Sequence, residues 1–509
     1  MLATVNSYGI SGIEGFSVRV EVNLAPGMPM FEVVGLPDAA VKESRERVRT
    51  ALKNSGLGFP DDRLTVNLAP ADMKKEGPLF DLPIAIGVAA GENKLPIAAL
   101  RDVVMLGELS LDGSIRPMRG ALPITISAAQ AGVRAIILPE QSANEVRCVE
   151  GIDVLPAAHL RDVIAHLSGK KPIAPMEKVG YGQLLRERSF AFDFANVFGQ
   201  RSAKRALEIA AAGGHNALMI GPPGSGKTLL SRCMPTILPD MSFAEALEAT
   251  RIHSVAGITP ESGLLTERPF RSPHHTASTV AIVGGGTSAL PGEISKAHHG
   301  VLFLDELPEY KRDVLEVLRQ PMEDGFVTVT RIGAQSTYPA QFMLICSMNP
   351  CPCGHFGSRT KICRCTPMQI RRYLNKISGP LLDRIDIHIE VESIPAERIA
   401  QAINEEPSEA IKRRVDSARA VQRARYEGQD IACNARLNAK TLNQYCRMTP
   451  EATEALKKAS ERMGLSNRAF TRVMKVARTI ADLDGVSAVG QDQVMEAVQY
   501  RTLDRKYWG

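Results

Sequence analysis

Hydrophobic and polar residues alternate over residues 17–24: Val18, Val20 and Val22 share one side, and Arg19, Glu21 and Asn23 share the other. A period of two places successive side chains on opposite faces, so this stretch predicts a strand with one covered face. Over 38–55 the period changes, and Ala40, Val41, Val48 and Leu52 form a helical stripe. Residues 64–68 predict a second strand, 128–132 the end of a helix, and 135–138 a short buried strand. Residues 1–167 are therefore expected to form an α/β domain with its own core. Residues 168–189 mix glycine, proline and charge with little apolar periodicity, which predicts a linker. Beyond it, an amphipathic helix over 202–212 leads to an apolar strand over 216–220. Residues 190–395 form the next expected domain. Helical patterns at 410–426, 451–463, 468–483 and 491–500 predict a small helical domain over 396–509.

Composition narrows the class. With 44% hydrophobic and 23% charged residues among 509, the chain is neither disordered nor fibrous. The longest apolar runs, such as 82–90, fall well short of the about 20 residues a membrane helix needs. Residues 1–19 lack a basic stretch followed by a long apolar core, so no secretion signal and a cytoplasmic location are expected. The net charge of +5 is too small to name a partner, so any nucleic-acid surface must come from local clustering. Nine cysteines in a reducing compartment are not expected to pair as disulfides, yet four fall within 351–365.

The chemistry concentrates in the middle segment. Gly221, Pro222, Pro223, Gly224, Ser225, Gly226, Lys227 and Thr228 follow an apolar strand and open a helix. This is a phosphate-binding loop in its expected context. Glycines let backbone N–H groups curl around phosphate oxygens, Lys227 reaches the β/γ-phosphates of ATP, and the Thr228 hydroxyl ligates Mg²⁺. About 75 residues later, Val301-Leu-Phe-Leu-Asp-Glu306 is an apolar strand ending in two acids. Asp305 is expected in the Mg²⁺ shell, and Glu306 to orient the attacking water. Residues 343–349 form another apolar strand, ending in Asn349, which either contacts that water or the γ-phosphate, or is a simple turn residue before Pro350. Arg384, in Leu381-Leu-Asp-Arg-Ile-Asp386, is either an arginine finger for a neighbouring subunit or a local partner of Asp383 or Asp386. Arg468 and Arg472 lie four apart on one predicted helix. Arg468 is preferred as a γ-phosphate contact from the lid, the alternative being a solvated basic face.

Together these residues resemble an AAA+ ATPase, and more narrowly its magnesium-chelatase-like branch. Ala297-His-His-Gly-Val-Leu-Phe-Leu-Asp-Glu306, Ser347-Met-Asn-Pro-Cys-Pro-Cys-Gly354 and Leu381-Leu-Asp-Arg-Ile-Asp386 carry the likeness. With Arg271-Ser-Pro-His-His-Thr276 and the N-terminal segment included, nearly the whole chain resembles the ComM (YifB) family. That resemblance implies an α/β fold class: a Lon-protease-like N-terminal domain, an AAA+ core with a parallel sheet, and a helical lid. It also implies a hexameric, ATP-driven DNA helicase promoting branch migration as single-stranded DNA is integrated during natural transformation. At the positions of the Lon serine and lysine this chain has Leu79 and Met118. Neither side chain can serve as nucleophile or base, so no peptidase activity is expected.

Two regions are candidates for handling DNA. Strand-like runs at 326–331 and 337–345, joined by 332–336, predict a hairpin. Arg331 near its tip either contacts phosphate or is an ordinary exposed arginine. Cys351, Cys353, Cys363 and Cys365 form two Cys-X-Cys pairs, a spacing that can close a tetrahedral zinc site, with His355 as an alternative ligand. The other reading is reduced thiols in a turn. Arg359, Lys361 and Arg364 lie in or just before the second pair, so a basic knob for DNA and a solvated charged face both fit. The several histidines between 253 and 299 are expected in polar packing or pore contacts rather than on a metal. The competing function is a chelatase-type or chaperone-type ATPase that remodels a protein. The N-terminal domain joined to a cysteine-rich loop is expected to separate the two readings.

Overall fold

A computed structural model describes residues 1–186, 190–260, 262–286, 289–331, 334–358, 361–394 and 405–508. The chain forms two compact units, one of residues 1–188 with 243–266, the other of 189–242 with 267–509.

The first unit is built on a seven-stranded sheet. Its strands are β1 (Leu2–Ser11), β2 (Glu14–Ala25), β3 (Met30–Val34), β4 (Arg63–Ala69), β5 (Val103–Met105), β8 (Ala135–Pro139) and β9 (Asp153–Ala157). A short hairpin of β6 (Glu108–Leu109) and β7 (Ile115–Arg116) stands beside it. The sheet order is β3-β4-β2-β1-β5-β8-β9. β1, β2 and β4 pair antiparallel, and the remaining pairs are parallel. Along β2, Val18, Val20 and Val22 are fully buried and Arg19 and Asn23 exposed, as the alternation predicts. β8 is buried on both faces: Ala135 and Ile137 join one core, Ile136 and Leu138 the other. The helix Asp81–Gly91 is buried along its whole length, which is why its sequence is an unbroken apolar run. Asp81, at its start, is buried too, and Arg47 forks onto both of its oxygens at 2.6 and 3.0 Å. The predicted helix at 38–55 is interrupted: Asp38 caps Ala39–Lys42, and Ser44–Asn54 follows.

Two stretches differ from the sequence expectation in this unit. The expected linker is laced to the unit: Met176 N–H donates to Val154 O at 2.8 Å, and Lys178 Nζ donates to Val149 O and Ile152 O. Residues 243–266, placed by sequence in the ATPase segment, pack here instead. Their helix Phe243–Ala256 lies against the helix Ala121–Gln130. The buried carboxylate of Glu145 receives Ser254 Oγ at 3.0 Å and Thr259 Oγ1 at 2.7 Å. A pattern reading along the chain does not reveal such a fixture, because its partners lie about a hundred residues away.

The second unit carries a parallel five-stranded sheet of β10 (Ala217–Ile220), β11 (Phe270–Arg271), β14 (Val301–Leu304), β17 (Met343–Met348) and β18 (Ile387–Glu390). The order is β11-β14-β17-β10-β18. Two small antiparallel pairs accompany it: β12 (Gly284–Gly285) with β13 (Leu290–Pro291), and β15 (Phe326–Arg331) with β16 (Ala334–Pro339). The second hairpin strand therefore ends at Pro339 instead of running to 345. Proline has no N–H to continue the ladder, and 343 onward belongs to β17.

The predicted lid helices appear as Ser408–Arg425, Pro450–Met463, Asn467–Leu483 and Gln491–Gln499. They share one hydrophobic core with the sheet: Val415, Val473, Val476 and Ile480 cluster with Ala206, Ala210 and Ile387. A buried polar network fastens the joint. His215 Nδ1 lies 3.0 Å from Asp386, which also binds Arg472. Asn434 donates to Asp482, which holds Arg425 and Arg478. Burying these charges is tolerable only because each finds a partner.

Candidate active site

Three neighbouring strands deliver the predicted residues to one edge. β14, β17 and β10 lie side by side and parallel, so Asp305, Asn349 and the 221–228 loop all emerge at their C-terminal ends. That edge of a parallel sheet is where open α/β folds bind ligands.

The loop geometry suits phosphate. Gly224 and Gly226 take left-handed backbone angles of 75° and 90°, and a Cβ at either would meet open space. Their lack of side chains thus serves the turn and leaves room for an anion. Ser225 Oγ is buried with no hydrogen-bond partner, an acceptor or donor awaiting one. Lys227 is buried and donates to Gly221 O at 2.8 Å, Pro222 O at 2.9 Å and Asn349 Oδ1 at 3.3 Å. Burial pushes its pKa down to about 8, and Asp305 and Glu306 pull it back up. Its contacts are neutral oxygens, so a phosphate can replace them without breaking an ion pair.

Thr228 Oγ1 donates to Asp305 Oδ2 at 2.9 Å, while the other Asp305 oxygen accepts from Ser347 Oγ and the Glu306 N–H. Hydroxyl and carboxylate are the two hard oxygen ligands that Mg²⁺ prefers from protein. Glu306 sits in the left-handed region at φ 54° with its side chain 55% exposed, so its carboxylate stands free of the strand. His275 Nδ1 lies 3.6 Å from it, and the His275 ring packs at 4.1 Å on His274. Sequence reasoning left His275 in a general polar role. The signal available was its place in Arg271-Ser-Pro-His-His-Thr276, but nothing in the spacing names Glu306 as its neighbour.

The two arginines stand together. Arg384 is buried, donates to Pro380 O at 2.7 Å and pairs with Glu323. Its ion partner is Glu323 and not an adjacent aspartate, and Asp386 is held by His215 and Arg472. Burial lowers the Arg384 pKa. Glu323 opposes this, and the charges of Arg319 and Arg468 add to it. Arg468 is exposed on the helix Asn467–Leu483, whereas Arg472, its rival by spacing, is committed to Asp386.

The cysteines converge. The Sγ atoms of Cys351, Cys353, Cys363 and Cys365 all lie within 4.8 Å of one another, with separations of 3.4, 3.6 and 3.7 Å among the first three. Four sulfurs about 2.3 Å from a zinc ion stand roughly 3.8 Å apart at the corners of a tetrahedron. The donor set thus fits Zn²⁺, and His355 is not part of it. The Phe356 N–H donates to Cys351 Sγ at 3.3 Å. Within this cluster the backbone N–H groups of Arg364 and His355 hold the Cys353 thiol down to about 6, while burial and the neighbouring sulfurs push Cys365 up to about 12 and Cys363 also rises, so without a metal the crowded thiols cannot all ionise together. Lys361 and Arg364 are exposed on this loop. Arg359 and the Arg331 side chain lie outside the described residues.

In the first unit, Leu79 and Met118 pack against the same apolar cluster, around Leu122, Ile136 and Leu138. The Met118 N–H donates to Ser142 Oγ at 2.9 Å.

The family described as "Magnesium chelatase, subunit ChlI" matches residues 193–399, and its C-terminal counterpart matches 405–501. "Subunit ChlI of Mg-chelatase" matches 20–142. A chelatase description thus reaches the N-terminal unit too, and that unit by itself does not separate the motor from the chelatase reading. The chain is 42% identical to protein YifB of Escherichia coli over 99% of this chain and 98% of the relative. It is equally identical, over the same shares, to "Competence protein ComM" of Haemophilus influenzae. It is also 23% identical to Lon protease 1 of Hydrogenovibrio crunogenus, over 30% of this chain and 20% of the relative. No helix among the described residues is long and apolar enough to cross a membrane. On this full-length likeness and these strand-end motifs, the chain belongs to the ComM/YifB family of magnesium-chelatase-like AAA+ ATPases.

Proposed function

We infer that this ATPase is a DNA motor: a cytoplasmic homo-hexamer that hydrolyses ATP to move DNA junctions and promotes branch migration when single-stranded DNA is integrated. The observation that carries the reading is the hydrolysis set, gathered at one sheet edge in a chain that resembles a competence protein along its whole length.

The residues divide the work. Lys227 leaves its carbonyl partners for the β- and γ-phosphate oxygens. Thr228 and Asp305 hold Mg²⁺, which neutralises charge building up on the phosphates. Glu306 orients the attacking water, and Asn349, already against Lys227, reads the γ-phosphate side. Arg384 acts on the nucleotide of an adjoining subunit, and Arg468 beside it reaches the same phosphate from the lid. A structural Zn²⁺ on the four cysteines shapes the 351–365 loop. Lys361, Arg364, Arg359 and Arg331 supply contacts to the DNA backbone, which confer affinity without sequence preference.

The second reading, a remodeler of a protein partner, is favoured by the chelatase descriptions matched across three segments. Strand displacement and junction migration assays with Mg²⁺ and ATP separate the two. A motor moves a synthetic Holliday junction and stops when Glu306 is replaced by Gln. A remodeler hydrolyses ATP and leaves the junction where it was.

A further inference from the structure

The four-cysteine loop is also a wall of the cleft beside the phosphate loop. That cleft has a volume of about 1190 Å³, and Gly221, Pro222, Gly354, Phe356, Gly357 and Ser358 are among the residues that line it. The contact is close. Gly354 has φ 79°, and a Cβ there would sit 2.4 Å from Pro223 Cδ. The Phe356 ring meets Tyr507 of the helix Thr502–Trp508 edge-on, with centroids 6.3 Å apart, and both line the cleft.

This wall has little to hold it by itself. Among the described residues of 351–365 there is no helix or strand. Its bonds are those of turns, such as Gly354 N–H to Cys351 O at 2.9 Å, Ser358 N–H to His355 O at 3.1 Å and Lys361 N–H to Ser358 Oγ at 3.3 Å, and others converge on sulfur: Phe356 N–H on Cys351 Sγ, and the Arg364 and His355 N–H groups on Cys353. Ordering such a loop costs backbone entropy, and a closed thiolate site offsets that cost when a metal binds. The first sulfur ligand is also two residues from Asn349, whose amide oxygen is 3.3 Å from Lys227.

We propose that the metal-pinned cysteine loop is the latch of the nucleotide cleft: the metal holds Gly354 and Phe356 against the phosphate loop, Phe356 forms the wall for the nucleotide base, and loss of the metal weakens nucleotide binding. The inference rests on the zinc reading above and adds a coupling to it. The ligand class is a purine nucleotide, whose flat base can stack on the Phe356 ring.

The test uses the full-length chain, zinc content by elemental analysis, and affinity for a fluorescent ATP analogue in Mg²⁺. The wild type carries about one zinc per chain. The Cys363→Ser/Cys365→Ser double variant lacks it and binds the analogue about tenfold more weakly, with its far-ultraviolet circular dichroism unchanged. Phe356→Ala keeps the zinc and loses affinity about threefold or more, and Phe356→Tyr recovers it. If the double variant fails to fold, reversible chelation of the wild type replaces it: affinity falls with zinc removed and returns with zinc added. Zinc that is present and removable without any change in affinity overturns the latch and leaves the metal site standing. Wild-type protein that neither contains nor takes up zinc overturns both.

Discussion

Two regions of this molecule resemble catalytic centres of known families, and their side chains have been treated in opposite ways. At the end of β10, Lys227 is buried, yet held only by carbonyl and amide oxygens, with Asp305, Glu306 and Asn349 around it. In the N-terminal unit, Leu79 and Met118, which the sequence resemblance sets at the Lon serine and lysine positions, both lean on one apolar cluster. The first arrangement holds polar groups that a ligand can take over; the second gives two half-buried apolar side chains a packing role and offers neither nucleophile nor base.

The largest effects are expected at the first site. Lys227→Ala abolishes binding of Mg-ATP by calorimetry. Glu306→Gln binds ATP but lowers turnover by about a hundredfold or more. Near-wild-type turnover in either variant breaks the comparison. Arg384→Ala keeps ATP binding and loses hydrolysis by about a thousandfold. Activity restored on mixing it with a Lys227 variant shows that the arginine acts between subunits, and unaltered hydrolysis removes it from the site.

The second site predicts a different pattern. Leu79→Ala and Met118→Ala are expected to cost about 1–3 kcal/mol of the N-terminal unit's stability in urea unfolding, with ATP turnover per folded molecule unchanged. Casein degradation stimulated by ATP in the wild type contradicts the reading of this unit as inert.

A subtler expectation follows from the Lys227 pKa of about 8, depressed by burial. In the unfolded chain a lysine titrates near its ordinary 10.5. Between those values the folded protein binds fewer protons than the unfolded one. Keeping Lys227 charged therefore costs stability below about pH 8, and that cost is relieved as pH rises from 8 toward 10.5. ATP phosphates favour the charged form, so nucleotide binding near pH 8 to 9 takes up protons. Calorimetry in buffers of different ionisation heat reads this directly, and no uptake removes the electrostatic account of Lys227. The smallest effect is at Arg364. Its replacement by Ala lowers the salt dependence of DNA binding by about one charge and leaves DNA-free ATP turnover intact.

Much of this was legible in the sequence where chemistry is local. The loop from Gly221 to Thr228 and the strand ending at Glu306 announce themselves by residue type and spacing, and the four lid helices appeared within a few residues of their predicted ends. Contacts across sequence distance were not legible. Nothing near residue 254 signals that its hydroxyl reaches Glu145, so 243–266 was placed with the ATPase segment. Nothing near Arg384 signals Glu323 rather than the adjacent aspartates. The apolar pattern continues past Pro339, where the hairpin strand ends. Four clustered cysteines suggested a metal; that their loop also walls the nucleotide cleft emerges only from Gly354 lying against Pro223.

The most direct test of the motor reading is the ATPase rate with and without single-stranded and branched DNA, across a salt series. The account predicts strong stimulation by DNA that fades as salt rises, because phosphate contacts release counterions. A rate indifferent to DNA, with no DNA binding at low salt, contradicts it and leaves an ATPase that works on a protein.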